Sequence, residues 1–339
     1  MTETRSADFL IGVCAVILGL AGLVIASSLF APVFFALFII AIVWPLQKTL
    51  QQRIPQLVAL AITLIITVVV IGSLLSLTVW GFTRAGQWML GNASRFQELY
   101  LLKAQWLESH GIVLAGVFAN QFDVNWLVRL FQGFVLWANS LAGFVVVTFI
   151  FVLLGLLEVE VIARKLGHMG DWGLRVRAAS TDIAYKFRRY MGVRTLMSIM
   201  TGIVLWAFAR VTGLELAVAW GVIGFSLNYI PFIGPLIATI LPTVFAVVQF
   251  ESLQTAAIVF GGMNLIQFLI GSYLEPRIAG NALAVSPFMV LFAVFFWSFL
   301  WGIPGAFIGV PLLIAIITFC AHYPSSRWIA ALLSGKDEA

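Results

Sequence analysis

Asn228-Tyr-Ile-Pro-Phe-Ile-Gly-Pro235 stands in the middle of a run, Leu216 to Phe250, that holds no charged residue. Its two prolines, glycine and asparagine interrupt what otherwise reads as spanning helix. In hydrocarbon every backbone N–H and C=O needs a partner, so broken backbone survives only where protein or a water-filled cavity surrounds it. Interrupted helices near the bilayer midplane are where secondary transporters build substrate sites. The stretch predicts an all-α, polytopic membrane protein that moves a solute rather than transforms one.

Composition agrees. The 339 residues are 62% apolar and 10% charged, with a mean hydropathy of +1.07. A soluble domain carries about 25% charged residues. The first apolar run, Phe9–Leu29, exceeds the ~7–15-residue core of a secretory signal, and a second run follows directly, so it reads as a retained helix. Cys14 and Cys320 lie in apolar segments near opposite ends, which suits packing and not a disulfide or metal site.

A spanning helix needs ~20 mainly apolar residues. The runs Phe9–Leu29, Ala31–Leu46, Leu57–Phe82, Phe131–Leu157, Val193–Val211, Leu216–Phe250, Leu253–Leu274 and Leu283–Cys320 predict about eight transmembrane helices. Leu216–Phe250 and Leu283–Cys320 are too long for one pass and read as re-entrant or out-and-back pairs. Pro32 is expected to open the second helix after a short Ser27–Ala31 loop. With the N-terminus inside, fourteen of the nineteen Lys and Arg residues fall on the inner side, which favours N-in and C-in.

The chain then divides into N-terminal membrane helices (1–83), an extracytoplasmic helical subdomain (84–130) and a membrane helix (131–157). A basic cytoplasmic amphipathic segment (158–194), a transport core with broken helices (195–322) and a cytoplasmic tail (323–339) follow. Trp88, Phe96, Tyr100, Leu107, Phe118, Phe122 and Trp126 give the outer subdomain its apolar side. Ile183, Phe187 and Met191 recur at i+4 in the basic segment, as expected of a helix against lipid headgroups. Because that segment joins two membrane helices, nucleic acid is not an expected partner.

Ile230-Pro-Phe-Ile-Gly-Pro-Leu-Ile-Ala238 is echoed by Phe307-Ile-Gly-Val-Pro-Leu-Leu-Ile-Ala315, preceded by Ile303-Pro-Gly305. Paired interruptions of this kind point to a transporter's binding site. Catalysis has little to use. His110, His168 and His322 show no metal-ligand spacing, and no nucleophile elbow or phosphate loop occurs, so neither enzyme activity nor a metal or other cofactor is expected. Between Asp182 and the tail the only carboxylates are Glu215, Glu251 and Glu275, all at segment ends. The broken stretch is therefore expected to lack an acid and to work through backbone dipoles and amides, which favours a neutral or weakly anionic solute. Asn228 and Tyr229 flank the break. Asn264 and Gln267, three apart, share a helix face and serve either solute contact or interhelical bonding. Glu275-Pro276-Arg277 reads as a gate at the cytoplasmic mouth, or as a helix-end salt bridge.

Leu227-Asn-Tyr-Ile-Pro-Phe-Ile-Gly-Pro-Leu236, Leu274-Glu-Pro-Arg-Ile-Ala-Gly280, Ser286-Pro287, Phe296-Trp-Ser-Phe-Leu-Trp-Gly-Ile-Pro-Gly-Ala306 and Val310-Pro-Leu312 together resemble the autoinducer-2 exporter family. The match is tight over Leu214–Ile317. The resemblance implies a bacterial inner-membrane protein of roughly eight helices that exports small molecules such as the quorum-sensing signal autoinducer-2. Some members are linked instead to sodium/proton exchange. It also implies a homo-oligomer, with a pentamer as the candidate stoichiometry, and an elevator-like moving part. The motif residues carried over are Asn228, Pro231, Gly234, Pro235, Glu275, Pro276, Arg277, Gly302, Pro304, Gly305 and Pro311. A membrane scaffold that transports nothing, with the breaks only shaping helix packing, is the reading of a different class.

Overall fold

The computed structural model describes residues 2–109, 125–279 and 285–334. Among the described residues the regular structure is helical, apart from one isolated antiparallel bridge between Val285 and Ser334. In chain order the helices are α1 (Thr2–Ile25), α2 (Ser27–Gln51), α3 (Gln56–Gly91), α4 (Ala93–Ser109), α5 (Asn125–Gly167) and α6 (Gly170–Val211). They continue as α7 (Ala217–Leu227), α8 (Ile233–Phe250), α9 (Leu253–Phe268), α10 (Pro287–His322) and α11 (Arg327–Leu333). Seven helices among the described residues are long and apolar enough to cross a membrane. The chain is an all-α, multi-pass membrane protein.

At ~1.5 Å per residue, α3, α5 and α6 are each ~50–65 Å long, well beyond the ~30 Å hydrocarbon core. Their polar ends continue the helices outside it. The basic stretch expected as a separate amphipathic helix is therefore the end of α5 and the start of α6, meeting at Gly167–Gly170. His110, Phe118, Phe122, Gly280, Leu283 and Lys336 lie outside the described residues, as do the side chains of Tyr100, Leu107 and Trp126.

One compact unit comprises Met1–Ile65, Gly143–Tyr190 and Asn281–Ala339. Here α1 and α2 meet at the single residue Ala26, and helical hydrogen bonds run across it (Ala26 N–H to Gly22 C=O, Phe30 N–H to Ala26 C=O). The expected Ser27–Ala31 loop is helix, and Pro32 lies inside α2 and does not open it. The missing N–H of Pro32 falls in the second turn, where one lost bond bends a helix without ending it. Ala36, Ile40, Leu60, Leu64, Val152 and Leu156 form a buried core. Gly155 gives the end of Ile40 its room: a Cβ there would crowd the Ile40 terminal methyl. In lipid, such small residues let helices approach closely, and close packing is what holds them together.

In the same unit α10 is two antiparallel arms hinged at Gly302, whose φ of 65° and ψ of −144° suit glycine alone. Past the hinge, a Cβ on Gly305 would overlap the Trp297 carbonyl, and one on Gly309 would lie 2.9 Å from that of Ala293. The out-and-back pair expected for this segment is present. Trp301 Nε1 donates to the Leu23 carbonyl at 3.2 Å and its ring packs on Phe34, tying the hinge to α1 and α2.

The other compact unit comprises Ile66–Ala142 and Met191–Gly280. It holds the second hairpin, α7 and α8, joined at Asn228–Phe232. Gly202 packs on Gly221, and Gly224 on Leu205, so α6 and α7 lie antiparallel and nearly backbone to backbone. Trp220 and Phe245 are buried edge to face, with the Trp88 ring tilted against Phe245. The base of the hairpin carries charge: Trp88 Nε1 donates to Glu215 at 2.7 Å, and Arg95 pairs with Glu251 at 2.6 Å.

Candidate functional site

The break is built by its own backbone. Phe232 has φ 63° and ψ −56°, and the Ile233 N–H donates to the Pro231 carbonyl at 2.7 Å. That is a γ-turn with positive φ, a rare and strained conformation for a residue with a side chain. It reverses the chain so sharply that a Cβ on Gly234 would overlap the Leu227 carbonyl. The Gly305–Trp297 contact in α10 is the counterpart. By geometry Gly234 corresponds to Gly305, one turn earlier than the sequence echo, which aligned Gly234 with Gly309.

Depth follows from helix lengths. Arg95, Glu215 and Glu251 place the hairpin base at headgroup level. The eleven residues of α7 then carry Asn228 about 16 Å from that base, close to half of a ~30 Å core.

There it meets a polar face of α6. Asn228 Nδ2 donates to Ser198 Oγ at 3.3 Å, and Tyr229 Oη bonds Thr195 Oγ1 at 3.1 Å. Arg194, on the same turn, is 5% exposed and pairs through Nη1 with Glu275 at 2.6 Å. Thr201, one turn further along, is fully buried with no partner for its hydroxyl among the described groups. Arg194, Ser198 and Thr201 recur at i, i+4 and i+7, one face of a helix. Glu275 is reached through six π-helical residues, Leu269–Leu274, that follow α9. Such turns shift side-chain register and are frequent at functional sites.

The other expected site residues fall into place separately. Arg277 does not pair with Glu275. Its guanidinium lies 4.0 Å over the Tyr273 ring, as expected for i and i+4 neighbours with Glu275 engaged elsewhere. Pro276 is exposed. Asn264 is exposed and donates to Phe260 of its own helix, whereas Gln267 is half-buried with Nε2 unpartnered. Pro231 and Pro235 are half-buried and Gly234 buried at the tip. Gly302, Pro304, Gly305 and Pro311 belong to the other compact unit.

The model of the AI-2E family transporters matches residues 13–325. The chain belongs to that family. It is 31% identical over 220 residues to the AI-2 transport protein TqsA of Escherichia coli K12, covering 65% of this chain and 64% of TqsA. A relative from Borreliella burgdorferi, provisionally named a transport protein, is 29% identical over 221 residues, 63% and 61% of the two chains. These matches span less than two thirds of either relative. A Haemophilus influenzae protein with the same provisional name is 26% identical over 348 residues, 97% of each chain.

In this AI-2E family member Asn228, Tyr229 and Glu275 meet positions that motif reading passed over. Arg194, Thr195, Ser198 and Thr201 were visible as a polar stripe in the apolar run Val193–Val211. Their spacing places them on one face, but nothing in the sequence says which face meets the break. Nor does the sequence show that an acid stands beside this face. Glu275, 81 residues along the chain from Arg194, is drawn to the α6 turn that binds Tyr229.

Proposed function

We propose that the chain is a bacterial inner-membrane exporter, N-in and C-in, for a small polar, neutral or weakly anionic solute such as autoinducer-2. It works as a homo-oligomer by an elevator-like mechanism. The observation that carries this is the pairing of Asn228 and Tyr229 with Ser198 and Thr195. Polar side chains and strained backbone converge at membrane depth, where each is costly unless used. The freed N–H groups at the start of α8 would meet solute oxygens, with the Asn228 amide beside them. TqsA, named for AI-2 transport, supports the choice of solute.

The test is saturable flux of labelled autoinducer-2 into liposomes holding the purified chain. Asn228→Ala and Pro231→Ala should reduce it at least about tenfold while the protein stays folded and assembled. Unchanged flux in both removes the site. Glu275 beside the site favours one further reading, sodium/proton exchange. A pH-sensitive dye in the same liposomes separates the two, since exchange requires sodium-dependent alkalinisation without added solute.

A further inference from the structure

Arg194 is the one strongly buried cation described in the compact unit that carries the Asn228 break, and its bonding is incomplete. Nη1 reaches Glu275, while Nε is buried and has no partner among the described groups. A guanidinium offers five N–H donors in a planar fork that matches oxyanions two bonds at a time. The two partners of the ion pair are unequally enclosed: the Arg194 side chain is 6% exposed and that of Glu275 25%. The acid is therefore the less enclosed of the two, with room to move that the cation lacks. It also sits just past the π-helical segment, a kind of turn frequent at functional sites. Beside Arg194 on α6, Thr195 and Ser198 meet Tyr229 and Asn228 of the break, all neutral hydrogen-bonding groups.

We propose that Arg194 is the solute-reading cation of this site, selecting a small hydroxylated solute that bears an oxyanion, and that Glu275 is its resident counter-ion, displaced when the solute arrives. This rests on the carrier reading and deepens it. The carboxylate occupies the place of the solute's charge in the empty site, so Arg194 is never left buried without a partner. On solute binding the fork turns to the incoming oxyanion, the hydroxyls meet Asn228 and Ser198, and Glu275 swings to its more exposed side.

The experiment compares binding of glycerate and glycerol, matched in size and differing in charge, to the purified full chain in detergent by calorimetry. Wild type should bind glycerate at least about tenfold more tightly than glycerol. Arg194→Gln should erase that preference, and Glu275→Gln should strengthen glycerate binding because the competitor has lost its charge. If Arg194→Gln fails to fold, the Glu275→Gln result decides alone. No preference in wild type, a preference kept in Arg194→Gln, or no gain in Glu275→Gln overturns the proposal. Glycerate preference without liposome flux would refute the carrier and leave the oxyanion subsite standing. Flux of autoinducer-2 without charge preference would do the reverse.

Discussion

Arg188 donates from Nη1 to the main-chain carbonyl of Ala41 at 2.8 Å, and Ala41 lies four residues before Pro45. That carbonyl is the one Pro45 leaves without its helical N–H. A basic residue that reads from sequence as a headgroup contact is thus filling a gap in α2. Removing it should cost about 1 kcal/mol, the penalty of leaving a partly buried carbonyl unpaired. Arg188→Leu should lower the melting temperature clearly in the wild-type background and little in Pro45→Ala, where residue 45 regains its N–H. Equal losses in the two backgrounds would contradict the gap-filling role.

The two hairpin glycines should behave alike. Gly234→Ala and Gly305→Ala each force a methyl into the carbonyl of the opposing arm, of Leu227 and Trp297 respectively. Overpacking of this kind costs about 1–3 kcal/mol. Gly261 and Gly72 have open space around a Cβ, so alanine there should be neutral or stabilising by up to ~1 kcal/mol. Thermal unfolding of the four single variants in one detergent provides the comparison.

At the tips the constraint is dihedral, not steric. Nothing crowds a Cβ at Gly302, yet its φ of 65° and ψ of −144° should make Gly302→Ala cost about 1–3 kcal/mol. Phe232 holds positive φ with a half-exposed side chain. Phe232→Val, β-branched, should melt well below Phe232→Gly, which relieves the strain. The reverse order would show that the γ-turn is not retained.

The base of the α7–α8 hairpin offers a contrast in burial. Arg95 and Glu251 are half exposed, at 48% and 51%, so Arg95→Ala should change stability by about 0–1 kcal/mol, less at high salt. Trp88 packs against fully buried Phe245 and holds Glu215, so Trp88→Ala should cost about 3–5 kcal/mol. Trp88→Phe, which keeps a ring but loses the donor, should fall between. Denaturation at two salt concentrations resolves all three.

The sequence by itself determined that this chain spans a membrane as helices, because apolar length and scarce charge leave few other solutions. It also located both chain reversals, since proline and glycine mark backbone that cannot continue a helix wherever they fall. Family membership was legible in the same motifs. Three things were decided only by tertiary structure. Pro32 and Ser27–Ala31 proved helical because neighbouring turns absorb one lost bond, which local propensity does not reveal. The register of the two hairpins followed from where Gly234 and Gly305 meet opposing carbonyls, a distance no alignment contains. The partners of the break, Ser198 and Thr195 for Asn228 and Tyr229, and Arg194 for Glu275, come from remote segments. Spacing can place polar residues on one helix face, but only packing chooses what that face meets.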